Sequence, residues 1–193
     1  MIEFLRGEVR SLSPTDVVID VGGIGLSLSI SLTTFDCIRG LSEVQLLVYE
    51  QIKEDSWTLF GFASEEERRL FMALISVSSV GAQTARIMLS SMAPQELAGL
   101  IVAGDVAALK RVKGIGAKTA ERIVLELRGK VQGIAGGYIP QVANGAASEA
   151  QQALVALGFA SAATEKAVQE ACRKQPGATA EELIRAALAC LRG

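Results

Sequence analysis

The chain contains no histidine. That removes the one side chain that titrates readily near neutral pH, and with it many acid–base and nucleophilic arrangements. Cysteine is sparse: Cys37, Cys172 and Cys190 lie far apart and are odd in number. A zinc site and a disulfide framework are both disfavoured, and buried free thiols are the better expectation. Aromatic residues make up 5% of the chain, with one tryptophan, so no broad aromatic surface for stacking bases is available. No apolar run approaches the length of a membrane span, and the opening MIEFLRGEVR lacks the apolar core of a signal peptide. The expected compartment is the cytoplasm.

What the chain does hold is a globular composition, half apolar and 21% charged over 193 residues. The net charge of −2 is unevenly placed. Residues 1–63 carry four Lys/Arg against nine Asp/Glu, residues 64–131 carry ten against seven, and residues 132–193 carry five of each. Within 110–130 there are seven bases and two acids. Positive charge collected on one short stretch is the electrostatic footprint expected of a nucleic-acid contact.

That stretch includes Leu109–Ile123, LKRVKGIGAKTAERI, which reads as helix, tight turn, helix. Asp105 can cap a short first helix carrying Val106, Leu109 and Val112. Gly114 and Gly116 interrupt the pattern, and either could take a positive φ. A second helix begins near Ala117 and buries Ala120, Ile123, Val124 and Leu127 on one side. The bare turn would offer unpaired amide groups and a positive helix end, with Lys113 and Lys118 beside it. Such a site holds phosphate and cannot read bases. A P-loop is excluded by Val112 and Ala117 where glycines are needed, and a dinucleotide fingerprint by Thr119 at its third glycine position. A plain glycine-bearing turn between packed helices is the competing reading.

A repeat weighs against that plain reading. At an offset of 35, Leu74 falls on Leu109, Val77 on Val112, Gly81 on Gly116, Thr84 on Thr119 and Ala85 on Ala120. The pair resembles the tandem helix-hairpin-helix of DNA-binding proteins. The first copy departs at Ser79, which replaces the leading glycine, and at Gln83, which stands where the second has Lys118. It is therefore expected to hold phosphate less strongly.

In chain order, strands are expected over Ile2–Arg10, Thr15–Val21, Leu26–Ser31, Val44–Lys53 and Trp57–Phe62, with a short helix at Thr33–Ile38. Five short strands with one helical interruption suggest a small OB-like β-barrel over 1–63. Being acidic and poor in aromatics, it need not use the nucleic-acid face common to such barrels. Residues 64–132 are helical. Ser64 with Glu67 reads as a capping box for Glu65–Ser76, and Ala82–Ser90 follows. Pro94 opens a helix to about Val102, and the last helix of the second hairpin is expected to reach about Lys130. Residues 133–147, with four glycines and a proline, read as a flexible linker. Residues 148–193 read as three helices, capped by Ser148 with Gln151 and by Thr179 with Glu182, and broken at Gly158 and Pro176-Gly177. Leu157-Gly158-Phe159 resembles the turn of ubiquitin-associated three-helix domains. The fold class expected is thus multidomain α+β.

The turn Lys53-Glu54-Asp55-Ser56 is open to three readings. It could be a solvated hairpin tip. It could hold catalytic carboxylates, which would need a metal or partner acid that is not near in sequence. Or it could be a repulsive element, each carboxylate costing a nearby phosphate about 1 kcal/mol at ~4 Å in water. Glu121 and Glu126, the acids nearest the second hairpin, sit on its gripping helix; a helix-hairpin-helix nuclease or glycosylase would need clustered or pocketed groups.

The order barrel, paired hairpins, linker and three-helix unit, with VKGIGAKTAERIVLEL at 112–127 and KEDSWTLFGF at 53–62, resembles the RuvA family of Holliday junction-binding proteins over the whole chain. The resemblance implies a non-catalytic subunit, without cofactor, that binds four-way junction DNA as a homotetramer. Whether one tetramer or two cover a junction is left open. It implies phosphate contacts by Gly81, Gln83, Lys113, Gly114, Gly116 and Lys118. Lys53 and Arg122 are further candidates, Arg122 having a salt bridge to Glu126 as its plainer role. It implies that Glu54 and Asp55 form a central acidic pin. It also implies that the third domain recruits the hexameric ATPase RuvB, with the RuvC resolvase as another partner. Leu154, Phe159 and Leu188 are the candidate contacts there, with core packing as their alternative.

Overall fold

In a computed structural model, residues 1–135, 145–175 and 177–191 are described. Strands β1 (Phe4–Leu12), β2 (Asp16–Val21), β3 (Ile24–Ile30), β4 (Glu43–Ile52) and β5 (Trp57–Phe62) close into a barrel in the order β1-β2-β3-β5-β4. Helix α1 (Leu32–Ile38) sits between β3 and β4. Every ladder is antiparallel except β3 with β5, whose parallel pairing closes the cylinder. Side chains alternate along each strand, and the inward set is aliphatic: Val17, Ile19, Leu28, Ile30, Leu46 and Val48 are buried. β1 runs two residues beyond its expected end, to Leu12, because a bulge between Val9 and Ser11 lets it keep pairing with β2.

The chain then turns helical: α2 (Glu65–Ile75), α3 (Ala82–Ser91), α4 (Pro94–Ala103), α5 (Val106–Leu109), α6 (Ala117–Leu127) and α7 (Gln132–Ala135). Two of these differ from the expected limits by more than one residue. α6 stops at Leu127, and α7 is a separate turn reaching into the expected linker, because Val131 and Ile134, three residues apart, are buried against the helical core. Of that linker, 136–144 lies outside the described residues.

The barrel has its own aliphatic interior, and the outer face of β5 joins the separate core of the helices. Phe60 and Phe62 project from β5 away from the barrel interior and meet Phe71 of α2 at ring-centroid distances of 5.1 and 4.9 Å. Polar contacts reinforce this seam. Ser31 caps α1 by accepting from the Thr34 N–H at 3.0 Å, and its hydroxyl donates to Glu67 of α2. The Thr34 hydroxyl donates to the other Glu67 oxygen at 2.6 Å while accepting from the Ala63 N–H at 3.1 Å. Ser64 does cap α2 through the Glu67 N–H at 3.2 Å. The reciprocal half of the expected capping box is missing, however, because the Glu67 carboxylate is committed to the barrel. Two arginines complete the seam. Arg68 pairs with Glu3 and Glu65, and Arg86 donates to the Thr15 carbonyl at 2.8 Å.

The backbone divides into two compact units, Met1–Tyr138 and Ile139–Gly193. The second contains α8 (Gly145–Ala156), α9 (Ser161–Lys174) and α10 (Ala180–Leu191), packed on one another around Ala150, Leu154, Val168, Ala171, Leu183 and Ala187. α8 starts at Gly145, so Ser148 lies inside the helix and is not its cap. α8 ends in a Schellman motif: the Phe159 N–H bonds to the Leu154 carbonyl at 3.2 Å and the Gly158 N–H to that of Val155 at 2.9 Å, with Gly158 at φ +94. Thr179 and Glu182 form a true capping box, with the Thr179 N–H on the Glu182 carboxylate at 2.9 Å and the Glu182 N–H on the Thr179 hydroxyl at 3.4 Å. The Thr179 N–H bond holds the Glu182 carboxyl below its ordinary pKa.

Candidate nucleic-acid interface

The two hairpins, α2–α3 and α5–α6, are built by the same hydrogen bonds. In the first, Val77 N–H bonds to Leu74 carbonyl at 3.1 Å, Val80 N–H to Val77 at 2.8 Å, and Ala85 N–H to Gly81 at 2.9 Å. In the second, Val112 N–H bonds to Leu109 at 3.2 Å, Ile115 N–H to Val112 at 3.1 Å, and Ala120 N–H to Gly116 at 2.9 Å. The apolar members of each set are buried in the helical core. Packing therefore pins each turn at both ends and leaves its tip to solvent. α5 is short, yet it is capped as expected, Asp105 accepting from the Ala108 N–H at 2.9 Å.

The glycines divide by role. Gly114 has φ +90, a left-handed conformation that a side chain would strain. Gly116 does not share it. It is extended, with φ −84, and precedes α6 as Gly81, with φ −85, precedes α3. Neither helix has a side-chain cap, and a Cβ added at Gly81 or Gly116 would meet no protein atom within 4 Å. The fold itself does not require glycine at either position. Ser79, the counterpart of Gly114, is not left-handed, so the first turn takes a different backbone path at that residue.

Lys113, Lys118 and Gln83 are exposed around these tips, and neither lysine forms an ion pair among the described residues. Arg122, one turn into α6, is held by Glu126, with Nε to Oε1 at 2.7 Å. Counting bases along the sequence overstated the free charge of this domain, because Arg68 and Arg86 serve the barrel seam.

The acidic turn projects from the β4–β5 hairpin. Ile52 and Trp57 form its last rung, and the Lys53 N–H closes it on the Ser56 carbonyl at 2.8 Å. Lys53, Glu54 and Asp55 are all exposed. Among the described residues, no three His, Cys, Asp or Glu side chains converge as a metal would need. Nor is any helix there long and apolar enough to cross a membrane.

In the second unit, Leu154 is wholly buried and belongs to the core, which corrects its candidacy as a partner contact. Phe159 and Leu188 are partly buried against the same core. Among the described residues of this unit, the large apolar side chains that face solvent are Val155 and Leu157, at 43% and 64% exposed.

A closed barrel joined to two hairpins of one pattern, each ending at an uncapped glycine, places the chain among the helix-hairpin-helix proteins. Family models agree in detail. Residues 1–61 match the RuvA N terminal domain, residues 71–130 a SAM-like helix-hairpin-helix tandem, and residues 145–192 the RuvA C-terminal domain. Curated relatives match end to end. A protein of Bacteroides fragilis is 42% identical over 97% of this chain and 98% of its own length. One from Porphyromonas gingivalis is 42% identical, and one from Parabacteroides distasonis 45%, each over 99% of this chain and 100% of its own length. All three are named Holliday junction branch migration complex subunit RuvA. The chain belongs to the RuvA family.

Proposed function

We propose that this chain binds four-way junction DNA without regard to sequence and holds it for a separate motor, as a subunit of a branch migration complex. The observation that carries this is the pair of hairpins, which share one hydrogen-bond pattern and end at glycines the fold does not itself require. Space kept clear beside free helix amides is space for a phosphate. Gly81, Gly114, Gly116, Lys113 and Lys118 make the contact, with Gln83 contributing less in the first hairpin. Arg122 reaches a phosphate only by leaving Glu126. A branch point that moves must be held by contacts that every sequence offers, and backbone amides and lysines supply them.

Glu54 and Asp55 act as the repulsive pin. Four copies of the chain gather their pins at the crossover, with Lys53 touching backbone beside them, while the hairpins hold the arms. The second unit recruits the RuvB ATPase, using the exposed apolar pair Val155 and Leu157 in place of the buried Leu154. No step of chemistry is assigned to the chain; the work of migration is done by the motor. Mobility-shift titration of the full chain against a synthetic four-way junction and a linear duplex of the same arms, with the mass of the complex measured, tests the reading. Strong preference for the junction and a tetrameric mass are expected. Equal affinity for both, or a monomer on both, would overturn it.

A further inference from the structure

The β4–β5 hairpin runs past the end of the barrel before it turns. On its inward-facing side the residues read outward as Leu46, Val48, Glu50 and Ile52 on β4, opposite Gly61, Leu59 and Trp57 on β5. The apolar stripe should stop at Glu50, whose carboxylate takes the Ile2 N–H where the barrel closes. It does not stop. Ile52 and Trp57 stand beyond that point at 71% and 63% exposed, paired across the ladder and covering nothing. Trp57 is the chain's only tryptophan. An exposed Trp–Ile rung beside two carboxylates contributes nothing to the barrel core, and its exposure points to a ligand.

We infer that Trp57, backed by Ile52, stacks on a nucleobase exposed at the branch point. This rests on the junction-binding reading above. Next to Glu54 and Asp55 a phosphate is repelled, whereas the flat face of a base carries no charge to repel. In intact duplex both faces of every base are covered by their neighbours, so a stacking side chain finds a free face only where the arms part. Stacking on an indole is tolerant of base identity, as a moving crossover demands. Lys53, next along the strand, can take the phosphate of the same nucleotide. The other occupant of an exposed apolar rung would be a second copy of the chain. A second copy would cover the rung before any DNA is present, so emission measured without DNA tells the two occupants apart.

The single tryptophan makes its own probe. The full chain is titrated with a four-way junction carrying 2-aminopurine at the crossover, and with a linear duplex, while both emissions are followed. Stacking predicts that the junction quenches Trp57 emission and that the wild-type chain quenches crossover 2-aminopurine, with neither effect on the duplex. Trp57→Ala should then lose roughly tenfold or more in junction affinity with duplex affinity unchanged, and Trp57→Phe should recover most of the loss. Junction binding in the mobility shift with both emissions unmoved would overturn stacking and leave the function standing. A blue shift that grows with protein concentration in the absence of DNA would place Trp57 between copies and overturn it too. Failure to bind the junction at all would overturn both.

Discussion

The Oε2 oxygen of Glu67 lies 2.6 Å from the Thr34 hydroxyl, joining the first helix of the hairpin domain to the single helix of the barrel. Glu67 is a buried carboxylate whose two oxygens each receive a hydroxyl that is itself fixed by a backbone N–H. It ties the barrel to the helices within one compact unit, Met1–Tyr138.

Glu67→Ala should cost about 2–4 kcal/mol in denaturant unfolding, because it strands two buried hydroxyl donors. The pH dependence has a definite sign. Burial raises the Glu67 pKa, outweighing the Ser31 and Thr34 hydrogen bonds that lower it. Folded chains then bind this proton at higher pH than unfolded ones. The stability tied to this proton is full below the ordinary glutamate pKa and is lost as pH rises through the raised one. Relative to Glu67→Gln, the wild type should gain stability as pH falls through that window. A pH-independent difference would contradict this placement.

The two glycines of the second hairpin should part company. Gly114→Ala forces a side chain into a left-handed turn and should lower stability by about 1–2 kcal/mol. Gly116→Ala meets open space and an ordinary φ, and the gain from a stiffer unfolded chain is opposed by alanine's poor fit at a helix N-cap, so stability should change by less than about 1 kcal/mol. Its junction affinity should nevertheless drop, since the added methyl occupies the phosphate's approach. Gly116→Ala with full affinity would show that no phosphate comes there.

Lys118→Glu should weaken junction binding strongly and reduce the salt dependence by about one counterion per lost contact in each subunit. The side chain is exposed and forms no ion pair among the described residues, so thermal stability should be unchanged. An unaltered salt slope removes Lys118 from the interface. Glu126→Ala offers a companion measurement: if Arg122 serves DNA, its release should raise affinity.

Neutralising the pin, with Glu54→Gln and Asp55→Asn together, should keep or raise affinity for DNA of every shape while eroding preference for the junction. Both residues are exposed at a turn closed by backbone, so folding should not suffer. A marked loss of stability would return these carboxylates to the role of an ordinary turn.

The glycine spacing, the repeat and the run of alternating strands were legible in one dimension because local conformation depends on near neighbours. Turns need certain residues, and helices and strands bury at fixed periods. The same rules marked Ser64 with Glu67 as a capping box; Ser64 does cap the helix, but the reciprocal half is absent. The barrel offered the carboxylate two hydroxyls thirty-odd residues away, and nothing local announces such a partner. Likewise Leu154 and Leu157 are both leucines at one helix end, and only packing separates the buried one from the exposed one.

The sequence by itself therefore determined the elements, their order and the two hairpin tips, since each follows from residues within one or two turns. The tertiary structure alone decided which charges are free. Arg68 and Arg86 are engaged at the barrel, while Lys113 and Lys118 form no ion pair among the described residues. It also decided that the Trp57 rung stands outside the core. Charge availability and exposure depend on what the folded chain brings alongside, and that is set by contacts between residues far apart in sequence.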